Sequence, residues 1–327
     1  MQNSTVVRYK NKLLLRMKLF KQNLRSGRTG MSLLLSICKY VLLIGIAFII
    51  IFPFFTKLSS ALMSVTDLND RTVKYIPKDP TFENIKTVLL YSDYGKALFN
   101  TFWISIVNAS IQLFISSFVA YGLAKFRFRG RGVIFAFIIL TLIIPSVATT
   151  TPEYISFKNF DLFGLFRLIT GGPLNLIGTP IPVFILSLFG LGFKSGIYVF
   201  LLRQCFAGMP KELNEAAYVD GAGIMRTYFT IMVPLAKPIM ITSFLLSFSW
   251  SWTDTTYSSI FYGDLTVLPN ILSSVQALVG MNDYGKTMIS SVYVNCASLL
   301  VILPLIIFYI FAQRYIIGGI EKSGIVG

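Results

Sequence analysis

An apolar run of about 20 residues leaves a chain few choices. Inside a bilayer every backbone N–H and C=O must bond within the protein, so such a run folds as a membrane-spanning helix. Six stretches of this chain qualify, at residues 39–54, 101–124, 132–146, 182–202, 239–257 and 291–312. The first and third are short and end near Pro53 and Pro145, and the fourth carries Lys194. With 54% hydrophobic and only 13% charged residues, intrinsic disorder is excluded, and so is an ordinary soluble domain with about 25% charged residues. The fold expected is an all-α polytopic membrane protein with six transmembrane helices over 39–313, a basic arm at 1–38 and a tail at 314–327.

Charge sets the orientation. With both termini cytoplasmic, the inward segments are the arm, residues 125–131, residues 203–238 and the tail, and they hold 19 of the 29 Lys and Arg. Inward loops enriched in Lys and Arg are the rule for membrane proteins, and this placement accounts for the net charge of +15 without nucleic acid. The arm contains nine basic residues and no acid through residue 39, too long a basic region for a signal peptide. Its mixture of apolar and basic residues at 13–20 suits anionic lipid headgroups. In the long first outward loop, Thr81 is placed to cap a helix starting near Glu83.

Histidine is absent, which excludes imidazole catalysis and histidine metal sites. Cys38, Cys205 and Cys296 are far apart and lie in or beside apolar segments, so neither a disulfide framework nor a zinc site is expected.

The inward loop between the fourth and fifth spans carries the most information. Pro210 suits the first turn of a helix, and good helix formers follow from Lys211 to Val219. Gly221 and Gly223 supply freedom for a reversal, Asp220 is a candidate cap for a second helix, and Pro234 should end that helix. Ala216, Ala217 and Ala222 would let another surface approach the backbone, and Glu215 and Asp220 offer carboxylates to a basic partner. No nucleophile or acid–base pair accompanies them, so the loop reads as a coupling element and not as an active site.

Glu215-Ala216-Ala217, Gly221, Ile231 and Pro234 are spaced as in the EAA loop of permease subunits of binding-protein-dependent ABC importers, which this chain resembles; Val233 stands where leucine is usual. Asn100-Thr101, the stretch from Ala120 to Gly130, Ile144-Pro145, Leu202-Arg203-Gln204 and the tail glycines are similar to the carbohydrate-uptake branch, nearest the second permease of maltose-type oligosaccharide importers. The resemblance implies a type I importer permease in the bacterial cytoplasmic membrane. Its partners would be a homologous second permease, two cytoplasmic ATPase subunits and an extracytoplasmic solute-binding protein. ATP and Mg²⁺ would sit on the ATPases, leaving this subunit no cofactor or catalytic residue. It assigns Glu215, Ala216, Ala217, Asp220, Gly221 and Gly223 to the docking loop. Residues 161–191 are longer than in the maltose-type protein.

Other features carry less. Gly280–Thr287 fits the P-loop pattern G-x4-G-K-T, but it lies in an outward loop before a membrane span. Lys194 is either a pathway or ion-pair lysine or one that snorkels to the interface. Trp252, Asp254 and Tyr257 on the fifth span are candidate solute-pathway residues, since aromatic faces stack on sugars and carboxylates accept hydroxyl hydrogen bonds. An aromatic belt at the outer interface fits the same position. A permease for a non-sugar or modified-sugar solute is the nearer alternative. A membrane glycosyltransferase would need an acidic or metal cluster absent from the inward loops, and a secondary transporter would need more intramembrane charges.

Overall fold

In the computed structural model, described for residues 28–278 and 284–324 (side chains for 31–275 and 291–313), all elements are helical save an isolated antiparallel bridge between Phe160 and Leu174. The arm before Arg28, the end of the tail and Gly280–Asp283 of the P-loop-like stretch lie outside the described residues. The chain forms two compact units, residues 1–59 and 60–327. The described part of the first is most of α1 (Arg28–Ala61), a 34-residue apolar helix that accommodates Pro53.

In the second unit, Asn84 fastens α3 (Glu83–Tyr91) to the preceding turn by donating to the carbonyls of Ala61 and Met63 at 3.1 and 2.7 Å. α2 (Val65–Asn69) is capped by Ser64. Thr81 is not the cap expected from the sequence: Phe82 holds the N-cap position, and the Thr81 hydroxyl, one residue earlier, accepts the Glu83 N–H at 3.2 Å in a local turn. In the same loop Lys78 donates to Asp70 at 2.6 Å, and that bond holds the Asp70 carboxyl well below the usual carboxylate range.

α4 (Tyr94–Lys125) is the central post, packed against the helices Ile181–Leu188, Ser195–Gly208 and Val233–Thr253. Its buried Thr101, Ser105, Asn108, Gln112 and Ser116 recur every three or four residues, so one polar stripe faces the bundle interior. The stripe is largely bonded across helices. Ser187 donates to Asn108 at 2.6 Å, Asn108 donates to Ser251 at 3.3 Å, and Gln112 donates to the Phe193 carbonyl at 3.3 Å. Ser247 donates to Gln112, and the Thr101 hydroxyl accepts the N–H of Leu268, the first residue of α14 (Leu268–Leu278). Where apolar burial cannot drive association, such bonds and close packing hold helices together.

Among the described residues, four stretches are long and apolar enough to cross a membrane unbroken: Met31–Ala61, Tyr94–Lys125, Ile224–Thr253 and Ser291–Gln313. Two of the six expected spans are therefore not single helices. α5 (Arg131–Ile143) and α6 (Ser146–Lys158) meet at a 98° bend, and count as a fifth crossing only if taken as one broken span. The break falls at Ile144, which Pro145 forces into extended backbone at ψ 122°. The expected fourth span divides into α8 (Ile181–Leu188) and α9 (Ser195–Gly208). Between them Gly190 and Lys194 take left-handed φ of +73° and +58°. A short α7 (Leu165–Thr170) lies in the 161–191 connection.

Gly192 and Gly196 set how closely this broken segment approaches its neighbours. A Cβ on Gly192 would strike the Gln112 amide and the Ser187 hydroxyl; one on Gly196 would lie 2.8 Å from the Ile138 carbonyl. Both contacts need a bare backbone, the small-residue logic of membrane helix packing.

Candidate functional site

The chain leaves α9 at Gly208 and turns through Met209, whose carbonyl accepts from the Lys125 ammonium at 2.9 Å. α10 (Glu212–Val219) follows and closes with a Schellman motif. The Ala222 N–H reaches the Ala217 carbonyl (2.9 Å), and the Gly221 N–H reaches the Tyr218 carbonyl (3.0 Å). Gly221 sits at the left-handed position with φ +76°, and a Cβ there would meet nothing within 4 Å, so its demand is conformational and not spatial.

Three details differ from the sequence reading. Asp220 does not cap the second helix; it ends the first, its N–H bonded to the Ala216 carbonyl. Gly223 is the residue before α11 (Ile224–Thr227), and its φ of −71° is open to any amino acid. The second helix also does not stop before Pro234. It widens into a π turn at Tyr228–Met232 and runs on as α12 (Val233–Thr253). The Val233 N–H bonds five residues back to Tyr228, a register shift that lets a proline without an N–H enter the helix.

Side chains sort cleanly on this helix–turn–helix. Ala217 and Asn214 are buried, while Glu215, Ala216, Asp220, Gly221 and Gly223 are exposed. Around them Leu213, Tyr218, Ile224 and Met225 are also exposed, and Val219 is 87% exposed. Carboxylates are thus interleaved on this face with small and apolar residues, and the exposed apolar side chains lie close together in sequence. Tyr228, 1% exposed, roots the element in the bundle: its hydroxyl pairs with Ser117, and its ring packs against Phe118 and Tyr121.

The pathway candidates divide. Trp252 is 2% exposed and its indole N–H donates to the Val301 carbonyl at 3.0 Å, so within this chain it ties α12 to α15 (Tyr284–Gly324). Asp254 is the N-cap of α13 (Thr255–Phe261) and accepts from the N–H groups of Thr256 and Tyr257 at 3.0 and 3.3 Å. It also borders two water-sized voids of about 10 Å³, one beside Ser105 and Tyr262, the other beside Asn108 and Gln112. The Lys194 ammonium lies 4.1 Å from the Trp250 ring centre and 5.1 Å from that of Phe193.

Lys194 and Tyr257 line one cavity of about 570 Å³ with Ile144, Pro145, Thr149, Glu153, Gly192 and Ser195. It lies where both broken segments break, and it does not include Trp252 or Asp254. Glu153 went unnoticed in the sequence because it follows Pro152 in a threonine-rich stretch that reads as a loop; its place on α6 depends on the bend. The polar stripe of α4 had a legible signal, polar residues at helical spacing inside an apolar span.

Residues 112–318 match the family described as binding-protein-dependent transport system inner membrane component. Among its relatives, an arabinooligosaccharides transport system permease protein (AraQ) of Halalkalibacterium halodurans is 30% identical, over 89% of this chain and 98% of the relative. A melibiose/raffinose/stachyose import permease protein (MelC) of Bacillus subtilis is 26% identical, over 84% of this chain and 91% of the relative. The fold matches a chain from the crystal structure of a bacterial ABC transporter involved in importing the acidic polysaccharide alginate. The TM-score is 0.65 at 22% identity, covering 89% of this chain and 98% of that one. The chain belongs to the inner membrane components of binding-protein-dependent transport systems, multi-pass permease subunits and not enzymes.

Proposed function

We propose that this chain is a permease subunit of an ATP-driven importer, forming half of the translocation pathway for an oligosaccharide. It is coupled through residues 203–238 to ATPase subunits that bind ATP and Mg²⁺. The observation that carries this reading is the exposed helix–turn–helix, which presents Glu215-Ala216 and the left-handed Gly221 on a root fixed by Lys125 and Tyr228.

A rigid root is what a handle needs. Force applied at α10 passes through the π turn into α12, which spans the bundle and meets α4 and α15. The partners are a homologous second permease, two ATPases on the cytoplasmic side and an extracytoplasmic binding protein that delivers the solute. Both termini are cytoplasmic, with the basic arm 1–38 resting on anionic headgroups; the surplus of inward Lys and Arg supports this orientation. The solutes named for AraQ and MelC support an oligosaccharide. Lys194 and Tyr257 are proposed pathway residues, with Asp254 positioning the turn that carries Tyr257; Trp252, the remaining candidate, supports the pathway wall from behind.

Co-expression with the neighbouring transport subunits tests the reading. A stoichiometric ATPase and second permease should co-purify, and loaded binding protein should stimulate hydrolysis. A chain that concentrates solute with no nucleotide-hydrolysing partner refutes it.

A further inference from the structure

We propose that the cavity between the two broken segments is a solute subsite belonging to this subunit, and that it accepts an uncharged, polyhydroxylated glycan in preference to an acidic one. The proposal rests on the permease reading and adds the substrate class and the residues that select it.

Three observations converge. The volume of about 570 Å³ lies within the range of about 300–1,000 Å³ usual for small-molecule sites. The walls include both interruptions of helix, at Ile144-Pro145 and Gly190–Ser195. In a membrane, non-helical backbone persists only where protein covers it or where it lines a water-filled cavity. Finally, the cavity's polar groups are not all used within the chain. The Glu153 Oε2 and the Ser195 hydroxyl are buried without a hydrogen-bond partner, and a buried acceptor left unpaired is costly.

The charges decide the class of solute. The Lys194 ammonium faces the rings of Trp250 and Phe193, which satisfy part of its demand for negative potential. Besides Lys194, the lining offers a ligand the Glu153 carboxylate, the Thr149 and Tyr257 hydroxyls and the Phe193 ring. Sugar hydroxyls donate to a carboxylate and exchange hydrogen bonds with Thr149, Ser195 and Tyr257. A uronic acid would set a second carboxylate against Glu153, and like charges disfavour one another in a site of low dielectric.

The test uses the whole complex of permeases and ATPases in nanodiscs, without binding protein, so that delivery cannot impose its own specificity. Saturation-transfer NMR measures the affinities of raffinose and trigalacturonate. Raffinose should bind at least about tenfold more tightly. Glu153→Gln should lower that preference about tenfold by weakening raffinose and admitting trigalacturonate, while Lys194→Gln should raise it. Thr149→Val, which keeps shape and charge, should weaken raffinose alone and stands in if Glu153→Gln fails to assemble. Asp70→Asn, in the first loop, should leave the preference unchanged. A wild-type preference for trigalacturonate, or a raffinose affinity indifferent to Glu153→Gln and Thr149→Val, overturns the proposal. Failure of the permease reading looks different: no ATPase or second permease would accompany the chain before any glycan is added.

Discussion

Two glycines on one helix provide a direct check of the packing. Gly196 and Gly208 both belong to α9. A Cβ on Gly196 would stand 2.8 Å from the Ile138 carbonyl oxygen and 3.0 Å from the Leu142 side chain, whereas one on Gly208 meets nothing within 4 Å. The carbonyl belongs to α5 and cannot swing aside as a side-chain tip can, so Gly196→Ala must push two helices apart. Overpacking of this kind costs about 1–3 kcal/mol. Gly208→Ala removes backbone freedom from the unfolded chain with no clash, and should be neutral or stabilise by up to about 1 kcal/mol. The two variants should differ by about 1–4 kcal/mol although their chemistry is identical. Reversible unfolding in mixed micelles, titrated with SDS, measures the difference. Equal stability, or a more stable Gly196→Ala, would refute the close approach of α5 and α9.

At the coupling loop, Gly221→Ala should impose about 1–2 kcal/mol of left-handed strain and reduce solute-stimulated ATP hydrolysis. Gly223→Ala, at an ordinary φ with open space around it, should leave the loop's conformation unchanged, as read by limited proteolysis of the purified complex. Asn108→Ala strands the Ser187 hydroxyl and should destabilise the bundle by about 1–3 kcal/mol in the same SDS titration. Trp252→Phe removes the indole donor to the Val301 carbonyl; stability should fall by about 0.5–1.5 kcal/mol while glycan affinity stays unchanged.

The legible parts of the fold were those that depend on local pattern. Apolar length located the four unbroken spans, and the glycine at Gly221 foretold a turn because only its left-handed φ closes the Schellman motif. The breaks at Ile144 and Gly190–Lys194 were harder to see. Composition alone cannot distinguish an apolar helix from two apolar half-helices whose exposed backbone ends are satisfied by other segments. Pro234 misled for a related reason. A proline forbids an α-helical bond, but the π turn before it changes which bond is required. Glu153 and Tyr257 sit more than a hundred residues apart and share a cavity only through the 98° bend, so no motif could announce them.

The coupling handle is tested most directly by a reporter at its tip. Val219 is 87% exposed, so Val219→Cys in a chain whose Cys38, Cys205 and Cys296 are replaced offers one thiol there. A membrane-impermeant maleimide is applied to sealed vesicles of each orientation, with and without the ATPase subunits. Labelling should occur only from the cytoplasmic face, and binding of the ATPases should suppress it. Labelling from the outer face, or a thiol equally reactive in the assembled complex, would contradict a handle held by a separate motor.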